Sequence, residues 1–200
     1  MDYDTIADIF DAIYETGALI IKPAVKEELD RCDEDLANVS APKLPSEYTQ
    51  FLKIANGMAW NGFEFFGTYQ VTVKKSGYVL QDIVSMNARI RQRKFGFDNL
   101  LLLGRFDDDI YVYKPETDQY QALDSLTLIE VETYDTFEDL IVSTVGVYAD
   151  DDDYDDEDDF DESDSDETGD DEDADEDNDV TDENNASCKD GASGEDAGAD

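Results

Sequence analysis

The side chains able to do chemistry are few in kind. The sequence holds 54 aspartates and glutamates against 14 lysines and arginines, with no histidine, for a formal charge of −40. Without histidine, the usual general base at neutral pH and the commonest imidazole metal ligand are both missing. No Gly-x-Ser-x-Gly elbow and no phosphate-cradling glycine loop is present, so neither an activated serine nor a nucleotide site is expected. Carboxylates are what remain. Asp107, Asp108 and Asp109 are consecutive and would serve a hard cation or a hydrolytic pair only if their oxygens converged. Aspartate is also a turn residue in its own right, and consecutive side chains diverge, so a solvated turn is the expected reading. Further on, Asp164-Ser165-Asp166-Glu167-Thr168-Gly169 with Asp175 imitates part of a calcium loop. Thr168 stands where Asp or Asn is usual and Asp175 where a bidentate Glu belongs, so only loose cation association is expected.

Two thiols and one indole complete the inventory. Cys32 lies on an apolar stripe and beside Asp30, Asp33, Glu34 and Asp35. Negative neighbours and burial both disfavour a thiolate, so it reads as a buried, inert cysteine. A disulfide to Cys188 would gain little, and two free thiols are the simpler reading. Trp60 is either a core anchor beside Phe63, Phe65 and Phe66 or a binding aromatic, since tryptophan serves both uses. No metal, no cofactor and no enzymatic activity is expected.

The elements that position these groups are legible from periodicity. The organising stretch is Leu44 to Gly67. Leu44-Pro45 opens a helix, because proline suits a first turn. Tyr48, Phe51, Leu52 and Ala55 then share one face. Asn56-Gly57 is expected to stop that helix in left-handed conformation. A short loop carries Trp60, and Gly62 to Gly67 reads as an aromatic strand or bend. Before this stretch, helices are expected over 4–15, with Ile6, Ile9, Phe10 and Ile13 inward, and over 25–38, with Val25, Leu29, Cys32 and Leu36 inward. After it come a strand over 69–73, a Lys74–Gly77 turn and a helix over 80–93. Four strands in meander order follow, over 100–106, 110–113, 120–123 and 128–133. A last helix, capped by Asp135 or Thr136, presents Phe137, Leu140, Ile141 and Val145. The cluster Arg89, Arg91, Arg93 and Lys94 near a helix end complements the helix dipole.

Composition changes abruptly after Ala149. Residues 1–149 carry 13 basic and 26 acidic side chains; residues 150–200 carry 1 and 28. The first part has enough apolar residues for one domain. The second has too few to offset its ordering entropy and charge repulsion, so a disordered acidic tail is expected. Tyr154 and Phe160 sit inside unbroken acid there. Aromatic handles in dense negative charge suit capture of a basic protein surface. Such a balance argues against nucleic acid. The N-terminal residues show no basic-then-apolar leader, and no apolar run approaches the roughly 18 residues of a membrane span, so a cytoplasmic protein without membrane contact is expected.

Leu44-Pro45, Tyr48, Phe51-Leu52, Asn56-Gly57, the aromatic-glycine corner, Leu102-Leu103-Gly104 and Asp108-Asp109-Ile110-Tyr111-Val112-Tyr113 occur here in one order. In that order and spacing, residues 1 to about 147 resemble the SUKH superfamily, named partly for a yeast cell-wall regulator, and are most similar to its bacterial YrhA-like branch. The resemblance implies an α+β fold, a central, mostly antiparallel sheet flanked by helices. It also implies a binding role, since many bacterial members are immunity proteins that neutralise toxin domains, often nucleases. The first expectation is therefore a non-enzymatic immunity protein that covers a basic toxin. The alternative is an intracellular regulatory scaffold that binds a basic protein through the fold and the tail. The corner and the hairpins are the expected interface elements: Trp60, Asn61, Glu64, Asp107, Asp108, Asp109 and Tyr111, with Tyr154 and Phe160 in the tail.

Overall fold

A computed structural model describes residues 3–94 and 96–149. The expected disorder of residues 150–200, and the contacts expected of Tyr154 and Phe160, lie outside the described residues.

Helix α1 (Tyr3–Glu15) buries Ile6, Phe10 and Ile13, and Gly17 ends it, with the Gly17 N–H donating to the Tyr14 carbonyl. The chain then enters a two-residue strand, β1 (Leu19–Ile20). Helix α2 (Lys26–Asn38) buries Leu29, Cys32 and Leu36. Val25 does not join that face. It is the residue before the helix and is exposed; its backbone N–H takes the Glu28 carboxylate, which satisfies a donor the helix start leaves free. Helix α3 (Ser46–Ile54) begins after Pro45 and buries Tyr48, Phe51 and Leu52. It stops because Ala55 turns extended, and of the next two residues only Gly57 is left-handed. Asn56 instead turns its amide into the interior, donating to Thr68 Oγ1 (2.9 Å) and accepting from the Thr68 N–H (2.8 Å).

Strands β2 (Met58–Trp60) and β3 (Phe63–Phe65) form a hairpin, so Trp60 ends a strand and is not in a loop. Asn61 and Gly62, at φ of 44° and 90°, are both left-handed. That is the geometry that matches the strand twist across a two-residue connection, and Asn-Gly is the pair that tolerates it. Next come β4 (Val71–Thr72) and β5 (Val79–Leu80), which pair only with each other. Leu80 is buried as expected but belongs to β5; helix α4 (Ile83–Arg93) starts three residues later, capped by the Asp82 carboxylate on the Ser85 N–H.

The meander β6 (Leu101–Phe106), β7 (Asp109–Lys114), β8 (Gln119–Asp124) and β9 (Glu130–Tyr134) completes a seven-stranded sheet, antiparallel throughout, in the order β1-β2-β3-β6-β7-β8-β9. Thr136, not Asp135, caps α5 (Phe137–Ile141), which continues through a π-helical turn (Val142–Gly146) into α6 (Val147–Ala149). The protein has an α+β fold.

Phe51 is the hub of the interior. Its ring meets Phe10 of α1, Tyr48 of α3, Phe65 of β3 and Phe137 of α5 at 5.1–6.0 Å between centroids. Edge-to-face contacts of this kind add to the burial of large rings. Two buried polar side chains then fix the sheet's position. The Tyr48 hydroxyl reaches the carbonyls of Phe66 (2.7 Å) and Leu103 (2.9 Å). The Asn87 amide donates to the Leu102 carbonyl (2.8 Å) and accepts from the Leu102 N–H (2.9 Å), so α4 grips β6 as a neighbouring strand would.

Candidate functional site

The β2–β3 hairpin and the strand beside it build a wide cleft. Side chains alternate along β3, so Glu64 faces away from Phe63 and Phe65. Pairing of β3 with β6 sets Glu64 directly opposite Arg105. Cross-strand opposite charges at that spacing meet side by side. The Arg105 guanidinium donates from Nε (2.9 Å) and approaches with Nη2 (2.8 Å) at the same carboxylate oxygen. The other Glu64 oxygen accepts from the Tyr78 hydroxyl at 2.6 Å. Tyr78 follows the Lys74–Gly77 turn of the β4–β5 hairpin, so this bond moors that hairpin over the sheet. Burial, and then the hydrogen bond to Glu64, push the Tyr78 phenol up. The hydrogen bond to Glu64 likewise holds the Arg105 guanidinium up.

The cleft above this triad encloses about 720 Å³, with Thr16, Leu19, Trp60, Asn61, Glu64 and Tyr78 among its lining residues. Trp60 is half-buried. Its ring lies nearly parallel to Phe63 at 6.5 Å, and its indole N–H donates to Thr16 Oγ1 at 2.8 Å. Thr16 in turn donates to the Ile13 carbonyl at 2.9 Å, so the indole is tied to the end of α1. Trp60 is thus anchored to the core on one side and lines the cleft on the other.

The hairpin acids divide. Asp107 and Asp108 are exposed at the β6–β7 turn, with Asp107 left-handed at φ 47°. Asp109 is half-buried at the start of β7, opposite Asp124 of β8. Burial, and then the charges of Asp124, Asp108 and Asp107, push its carboxyl up. Asp124 goes the other way, held down by bonds from Thr127 and Leu126. Among the described residues, no group of three acidic or thiol side chains is placed to hold a metal ion.

Tyr111 and Glu64 differ from the expectation of exposed contact residues. Tyr111 is 3% exposed and stacks on Phe65 at 5.4 Å and 10°. The reason is Gly104, which lies between them in the cross-strand row Phe65, Gly104, Tyr111. A Cβ there would fall 2.4 Å from the Glu64 carbonyl and 2.9 Å from the Phe65 ring. Its absence lets the two rings meet across the strand. Glu64 is 7% exposed, and both its oxygens are engaged; it forms the floor of the cleft, where its role is to hold Arg105 and Tyr78.

The basic cluster on α4 also divides. Arg91 turns inward to the Ser40 carbonyl, the Asn87 side chain and the Leu100 carbonyl, and lies over the Phe97 ring at 5.5 Å. Lys94 donates to the Leu126 carbonyl at 2.8 Å. Arg89 and Arg93 remain exposed.

Tyr78, Arg105 and Thr16 are site residues that the sequence reading did not single out. One signal for Arg105 was present. It is the lone charge in the apolar run Leu101–Phe106, and Glu64 is the lone charge in the aromatic run Phe63–Phe66; two such strands side by side invite that pairing. Tyr78 and Thr16 carry no comparable mark.

Fold and cleft together define an α+β domain with an aromatic-lined surface hollow whose polar groups bond one another. The chain matches no family model and no curated protein. Among the described residues no helix is long and apolar enough to cross a membrane.

Proposed function

We propose that this protein is a non-enzymatic binding module of the cytoplasm, an immunity protein that neutralises a basic toxin domain, as the SUKH resemblance implies. The observation that carries this reading is the charge and where the fold leaves it. The chain has a formal charge of −40. The cations that would offset it are partly withdrawn: Arg91 and Lys94 to backbone carbonyls, Arg105 to Glu64. Asp107, Asp108, Glu130 and Glu132 stand exposed. A field of one sign raises encounter rates with a surface of the other and fixes its orientation. The cleft supports recognition over reaction, because its acid is already paired with its base and the Thr16 and Tyr78 hydroxyls are spent on a carbonyl and a carboxylate oxygen.

The test is co-purification with basic toxin domains encoded beside it, followed across a salt series. A complex that weakens with salt and silences the toxin is the expected result. Failure with every neighbouring toxin, or binding indifferent to salt, would remove this reading, and capture of a housekeeping protein alone would favour the scaffold.

A further inference from the structure

A second hollow, of about 190 Å³, opens between the sheet and the C-terminal helical turns. One side of it is aromatic, and Ser143 and Thr144 add hydroxyls to its lining. Phe63 and Phe106 stack at 3.8 Å and 7°, and Tyr148 of α6 meets both rings, at 5.4 and 5.7 Å. Its rim comes from Val131 and Glu132 of β9 and from Asp109. Two of its lining residues are large and exposed, Val131 at 59% and Tyr148 at 43%.

The rim charge is uncompensated. Glu132 accepts one bond, from the Tyr134 hydroxyl at 2.8 Å. The Asp109 carboxylate has no hydrogen-bond donor and no cation among the described residues, and its neighbours are Asp107, Asp108 and Asp124. Glu64, by contrast, is supplied by the fold with both an arginine and a tyrosine. A half-buried acid without a counter-charge destabilises the free protein, and a cation supplied from outside the chain would relieve that cost.

We infer that this groove receives an arginine side chain of the basic partner, its guanidinium stacked on Tyr148 and Phe106 and forked toward Asp109 and Glu132. The inference rests on the reading of a basic protein partner and adds the anchoring point. Arginine fits better than lysine because its guanidinium is planar, weakly hydrated, stacks on aromatic faces and bonds carboxylates through two donors at once. The aromatic side of the hollow takes the aliphatic stem. A second copy of this chain is disfavoured as occupant by the charge of −40 it would bring.

The test uses the full chain and an end-blocked Gly-Arg-Gly-Arg-Gly peptide at millimolar concentration, with amide shifts read residue by residue. Two comparison peptides carry citrulline, which is neutral and nearly the same shape, or lysine in place of arginine. The expected result is a saturable shift centred on Asp109, Val131 and Tyr148, absent with citrulline and weaker with lysine. Tyr148→Ala and Asp109→Asn should each weaken it about fivefold. Asp109→Asn should at the same time raise the melting temperature, which distinguishes a residue kept for binding from one kept for the fold. Shifts that fall elsewhere and survive both substitutions would overturn the groove while leaving a basic partner in place. Equal shifts with citrulline would overturn the charge recognition. No salt-sensitive shift anywhere would sink the groove and count against the basic partner as well.

Discussion

Cys32 shows how a reactive group is silenced by its surroundings. It is 2% exposed on the inner face of α2, and burial, and then the charges of Asp33, Asp82 and Asp35, push its thiol from an ordinary value near 9 up to about 12. Both influences act in one direction, since a thiolate would lose its water and gain negative neighbours. The consequence for stability has a definite sign. Between about 9 and about 12 the unfolded chain releases this proton and the folded chain keeps it. The unfolded state therefore gains as pH rises through that window, and folding stability falls. Cys32→Ala should flatten this fall while leaving the tyrosine contribution, common to both proteins, unchanged. Denaturation midpoints measured from pH 8 upward in the two proteins check it; parallel slopes would mean that the thiol is not held protonated. The same residue should resist alkylation at pH 8 until the protein is unfolded.

At the scale of elements, the β4–β5 hairpin depends on few contacts. Its strands are two residues each and pair only with one another. The Tyr78–Glu64 bond is its polar mooring to the main sheet. A hydrogen bond to a charged group contributes about 1.5–3 kcal/mol, and the partial exposure of Tyr78 places the effect at the low end. Tyr78→Phe should therefore speed amide exchange across residues 71–80 by about tenfold. Exchange in β6, β7 and β8 should not change. Should the whole sheet exchange faster instead, the hairpin would be part of the core and not a cover over the cleft.

This hairpin also marks the boundary of what periodicity reveals. Long elements were legible, because α1, α3 and the meander each repeat an apolar spacing over several residues. The Phe10, Phe51, Phe65 and Phe137 core follows from those stripes. A two-residue strand has no period, so β5 was absorbed into the helix that follows it, and Leu80 was read as its first inward residue. The β2–β3 turn hid for another reason. Asn61-Gly62 is a hairpin signature, yet the aromatic run around it reads equally as bend or strand. The site depends on register, which is non-local: that Glu64 opposes Arg105 is decided 41 residues apart along the chain, and that Gly104 separates Phe65 from Tyr111 follows from the same pairing. Tyr111 is expected at the interface as part of a hairpin, while alternation along β7 turns its side chain inward.

At the scale of the molecule, charge is the dominant physical property, and it is divided unevenly along the chain. Residues 1–149 carry a formal charge of −13 and residues 150–200 carry −27. The domain holds the shaped features, the Trp60 cleft and the groove beside Tyr148. Charge on the remaining residues acts over distance, up to the Debye length of about 8 Å at physiological salt and further when salt is low. If the protein binds a basic partner as proposed, with the domain making the short-range contacts and the last 51 residues adding only field, a chain ending at Ala149 should bind that partner with an unchanged dissociation rate. Its association rate should be about tenfold lower at low salt, and the difference should vanish as salt is raised. Stopped-flow association and dissociation across a salt series separate the two quantities. A faster dissociation in the shortened chain would assign direct contact to residues 150–200, with Tyr154 and Phe160 the aromatic handles through which that contact would be made. Equal association rates at low salt would mean that the field of the domain alone guides encounter, and the acid beyond Ala149 would then need a reason other than recognition.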